Sequence, residues 1–104
     1  MNTSIPSLNT LLRVTVFDLQ CHARNTLDDS ALNLIQVYLE DKPLLLNNTD
    51  LHQKRMISLI DELAEHFRTI GSIADATIIA NYIAQLPDVM KNERISQAVK
   101  AVLD

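Results

Sequence analysis

Apolar side chains recur along this chain with the period of an α-helix, in five separate runs. The first covers residues 8–24. Leu8, Leu11, Leu12, Thr15, Leu19, His22 and Ala23 fall on one side of it, and Val14, Phe17 and Cys21 form a second strip elsewhere on its circumference. Two strips on one helix predict two neighbours. The stretch Arg13–Phe17 also suits a strand, since Val14–Phe17 is β-branched and aromatic, but the helical period extends well past it.

The second run, residues 27–41, opens on Thr26 as a possible cap, with Asp28 and Asp29 where carboxylates suit the positive end of a helix. Leu27, Ala31, Leu34, Ile35 and Tyr38 make its inward side, widened by Leu32 and Leu39. Pro43 disfavours helix at the residue before it, so the run is expected to end near Asp41. The connector that follows carries Leu44, Leu45 and Leu46 in a row. They are expected to plug an end of the core or to offer a partner an apolar patch.

The third run, residues 50–70, is expected to be capped by Thr49 or Asp50. It sets Met56, Leu59, Ile60, Leu63, Phe67 and Ile70 against an opposite face of Lys54, Ser58, Asp61, Glu62, Glu65 and Arg68. Gly71 supplies its left-handed stop. Within it, the six residues Ser58–Leu63 loosely resemble a stretch of small helical bacterial regulators, a likeness too short to carry a role over.

The fourth run, residues 73–86, is capped by Ser72, with Asp75 three positions on as a capping-box variant and Pro87 beyond its end. Only Thr77, Asn81 and Gln85 interrupt its apolar circumference, and Ala76, Ala80 and Ala84 let a neighbouring backbone come close. A helix apolar nearly all round is buried, in its own domain or against another chain. The fifth run, residues 92–103, buries Ile95, Ala98, Val99, Val102 and Leu103 and turns Arg94, Gln97 and Lys100 outward.

These runs predict an all-α fold: an antiparallel bundle of four to five helices in a single domain, 1–104, dimerising through helix faces. Composition agrees. The chain is 47% hydrophobic, and with one Gly and three Pro it has little material for hairpins. Its apolar helical surface exceeds what one copy of this length is expected to cover. Exposing a large apolar side chain costs about 1.5–3 kcal/mol, a substantial fraction of a stability of about 5–15 kcal/mol. The surplus predicts a protein interface at Val14, Phe17, Cys21, Leu44, Leu45, Leu46, Ile79 and Tyr82.

Charge and chemistry narrow the function. A net charge of −4 disfavours a general nucleic-acid binder. The single cysteine excludes an internal disulfide and multi-cysteine zinc schemes. No apolar run approaches the roughly 20 residues of a membrane span, and the N-terminus lacks a basic n-region, so a cytoplasmic location is expected. Asp18 with His22 and Glu62 with His66 are i, i+4 pairs that share a helix face, without the Glu-x-x-His spacing of carboxylate-bundle metal sites. No catalytic constellation, cofactor loop or metal set emerges, and Cys21 beside His22 points about 100° away from it on a helix.

The expected function is therefore a small regulator or adaptor that docks onto another protein, as a homodimer and without catalysis. Three alternatives remain open at this point: an immunity-type or antitoxin-type inhibitor of a basic partner, a secretion-type chaperone, and a helix-turn-helix regulator built from the last two runs.

Overall fold

The computed structural model describes residues 8–45, 47–86 and 93–103, with the side chains of Leu8 and Asn9 left aside. It is an all-α bundle of five helices: α1 (Leu8–Thr26), α2 (Asp29–Leu45), α3 (Thr49–Ile70), α4 (Ile73–Ala84) and α5 (Glu93–Leu103). There is no strand among the described residues.

Local hydrogen bonding sets the end of α1, the start of α2 and both ends of α3. α1 closes with the Asp28 amide donating to Ala23 O at 2.9 Å and the Leu27 amide to Arg24 O at 3.4 Å, the pattern of a Schellman motif. Leu27 takes the left-handed conformation this requires, with φ 57°. It was expected on the buried side of α2 and is instead 80% exposed, because it is the turn residue. Thr26, expected to cap α2, belongs to α1 and donates back to His22 O at 3.0 Å. Asp28 caps α2, its Oδ1 accepting from the Ala31 amide at 3.1 Å.

α2 runs on past its expected end, through Pro43 to Leu45. Pro43 has no amide to donate to the carbonyl four residues back, yet the helix continues for two residues beyond it. The extra turn carries Leu45 into the core. Leu44 points outward, 83% exposed, and Leu46 lies outside the described residues. Asn48 caps α3, its side chain accepting from the Leu51 amide at 3.0 Å. Gly71 ends α3 at φ 67°, where a side chain would be strained.

α3 touches all four other helices. Met56, Leu59, Ile60, Leu63 and Phe67 on it are fully enclosed and meet Leu12 and Leu19 of α1, Ile35 of α2, Ile79 of α4 and Ile95 of α5 in one continuous core. α4 packs on α1, α3 and α5, which enclose Ala76, Ile79 and Tyr82 and half-cover Ile78, Ala80 and Ile83, while Ile73 stands 63% exposed. Ile79 is 0% and Tyr82 4% exposed. The expectation that these two face a partner gives way, since the protomer's own helices enclose them.

Candidate functional site

Of the residues expected at an interface, the structure leaves two side by side on the outside of α1. Val14 and Phe17 are 52% and 61% exposed. They stand at the mouth of a groove of about 380 Å³ between α1 and α2, lined by Arg13, Val14, Val16, Phe17, Gln20, Tyr38, Leu39 and Lys42. Helical spacing produces this arrangement. Leu12, Val16 and Leu19 turn inward, which leaves the strip nearly opposite, with Val14 and Phe17, facing out beside α2. Cys21, from the same strip, is half-buried and is not among the groove's lining residues. Leu44 lies in a separate depression with Leu45, Leu51, Lys54, Arg55 and Asp41, between the end of α2 and the start of α3.

The floor of the α1/α2 groove is polar at one point. The Tyr38 hydroxyl lies 2.7 Å from His52 Nε2, with the two rings stacked at 5.7 Å between centroids. Burial raises the Tyr38 pKa, partly offset by Arg13 and Arg55, so the phenol stays protonated, and the His52 tautomer sets which of the two groups donates. Burial, and then the charges of Arg13 and Lys42, hold the His52 imidazole below its ordinary range. The Arg55 guanidinium sits 5.8 Å from the Tyr38 ring centroid.

The other two histidines also bond across helices, not along them. His22 Nδ1 is 2.8 Å from Asp75 Oδ1 on α4, and His66 Nε2 is 2.9 Å from both oxygens of Asp28, the α2 cap. The i, i+4 pairings with Asp18 and Glu62 are not among the bonds these rings make. Sequence spacing shows only partners on the same helix, so these three cross-helix bonds had no sequence signal. No three His, Cys, Asp or Glu side chains come together as a metal-binding group among the described residues.

For a helix-turn-helix, the connector Pro87–Asn92 lies outside the described residues. Arg94 Nε lies 3.4 Å from Asp61 Oδ1 of α3, which draws one of the candidate recognition cations toward the bundle. No helix of the described residues is long and apolar enough to cross a membrane. Comparison with protein-family models, with curated proteins and with solved structures gave no match.

Proposed function

We propose that this protein acts by docking another protein in the groove between α1 and α2, as a small regulator or adaptor that performs no chemistry of its own. One observation supports the reading above the rest: Phe17, a large aromatic, stands 61% exposed on a groove it shares with Val14, Val16 and Leu39, while the large side chains Ile79 and Tyr82 are buried. Leu27, Leu44 and Ile73 are also exposed, but among the aromatic side chains Phe17 alone is left out, with Tyr38, Phe67 and Tyr82 enclosed. Aromatic side chains at the centre of a concave apolar patch are the usual anchors of protein interfaces.

The immunity-type alternative calls for an acidic docking face toward a basic partner. The groove carries Arg13 and Lys42 instead, a charge that suits an acidic partner. Homodimerisation, expected from the apolar surplus, becomes a competing occupant of the same groove.

The test compares the protein with its Phe17→Asp variant as baits in native lysate, at matched helical content by circular dichroism. The reading expects a partner retained in near-stoichiometric amount by the first and lost by the second. Identical captures from both baits would remove the groove from consideration.

A further inference from the structure

Arg13 and Lys42 flank the groove, and no carboxylate lines it. Neither has an ion-pair partner among the described residues, whereas Arg55, Arg68 and Arg94 each meet a carboxylate. Asp41, next to Lys42 in sequence, turns to the other side of α2 and lies 3.4 Å from Arg55. In a chain of net charge −4, two uncompensated cations on one apolar groove reverse the local sign.

We propose that the α1/α2 groove receives an amphipathic helix of a partner protein, with an apolar edge that enters beside Val14, Phe17 and Leu39 and flanking carboxylates that meet Arg13 and Lys42. The proposal rests on the docking reading above and specifies its partner. A helix is favoured over an extended segment because no strand, and hence no sheet edge, is present among the described residues, and a furrow between two helices is the setting of helix-in-groove recognition. The groove's volume, about 380 Å³, is at the small end of protein pockets, roughly 300–1,000 Å³, and suits a few side-chain anchors.

A second copy is disfavoured by charge. An isologous contact presents the same patch from both sides, which would set Arg13 and Lys42 against their own counterparts, and like charges so placed repel. A nucleic-acid strand offers negative charge, but its affinity comes from many phosphate contacts, and this groove offers two cations set in apolar surface.

The experiment selects from a displayed library of amphipathic helices. Apolar anchors are fixed on one face and the flanking positions are random, with the full chain and its Phe17→Asp variant as targets. The proposal expects Phe17-dependent binders enriched in Asp and Glu at the flanks. Replacing Arg13 and Lys42 together by Ser should weaken a selected peptide roughly tenfold, and rising salt should weaken it further.

Phe17-dependent binders with neutral or basic flanks would overturn the acidic partner and leave the docking reading standing. Failure to recover any Phe17-dependent binder would overturn both. Self-association of the protein that Phe17→Asp abolishes would assign the groove to a second copy. Phe17-dependent binding of a single-stranded oligonucleotide probe would assign it to nucleic acid. Either result would overturn the proposal.

Discussion

His22 Nδ1 lies 2.8 Å from Asp75 Oδ1, and this bond ties the end of α1 to the first turn of α4. The other oxygen of the same buried carboxylate accepts from the Ser72 hydroxyl at 2.6 Å. Asp75 was expected to reach back to the Ser72 amide in a capping box. That amide donates instead to Phe67 O at 3.0 Å, and the carboxylate is committed to His22.

Removing the carboxylate leaves two buried or half-buried polar partners without their acceptor. Asp75→Ala is expected to cost about 2–3 kcal/mol, read from the urea midpoint, and Asp75→Asn distinctly less because an amide oxygen remains. An alanine variant as stable as the parent would show that the bond holds nothing together.

His52 sets a pH dependence. Its imidazole is held below the ordinary value by burial, then by Arg13 and Lys42, and its Nε2 shares a hydrogen bond with the Tyr38 hydroxyl. The unfolded chain, with a histidine near pH 6.5, binds this proton more readily than the folded chain. Its contribution to stability is therefore complete above that pH and is lost as pH falls through the depressed folded value. Urea midpoints between about pH 7.5 and about pH 5 should fall more steeply for the parent than for His52→Gln. Parallel profiles would contradict the assignment.

The same residue reports on the groove. Carboxylates seated against Arg13 and Lys42 would counter the charges that disfavour imidazolium, so the His52 titration, followed by NMR, should move upward when a selected acidic peptide is bound. An unmoved titration at saturation would place the peptide elsewhere.

Leu27 holds a left-handed conformation, φ 57°, with its side chain in solvent. Side chains disfavour that conformation by roughly 1–2 kcal/mol. Leu27→Gly is expected to raise stability by about 1 kcal/mol after the added freedom of the unfolded chain is counted. A lower urea midpoint would mean that the leucine makes a contact worth more than the strain.

Ile79 and Phe17 should respond in opposite ways. Ile79 is fully enclosed, and Ile79→Ala is expected to cost about 2–5 kcal/mol. Phe17→Asp, at an exposed position, should change stability by less than about 1 kcal/mol. If Phe17→Asp unfolds the protein, the residue serves the fold and not a partner.

The helices were legible because their signals are local. Gly71 and Ser72 punctuate α3 and α4 where the structure does, and the off-axis position of Val14 and Phe17 on the first wheel corresponds to their exposure. Besides the Thr26–Leu27 turn and the Asp75 contact, two features misled. Pro43 suggested an earlier stop than a last-turn proline enforces. The apolar circumference of α4 reported burial without saying whose surface does the burying, and α1, α3 and α5 of the same chain supply it. The cationic rim was out of reach for a related reason: Arg13 and Lys42 are far apart in sequence, and only the packing of α1 on α2 brings them to one groove.

The most direct measurement of the central claim is site-specific photocrosslinking in cells, with benzoylphenylalanine placed at Phe17 in the groove mouth and, separately, at the exposed Glu62 on α3. Docking through the α1/α2 groove requires a discrete crosslink to one partner protein from position 17 and its absence from position 62. Matching adducts from the two positions, or none from position 17, would contradict it.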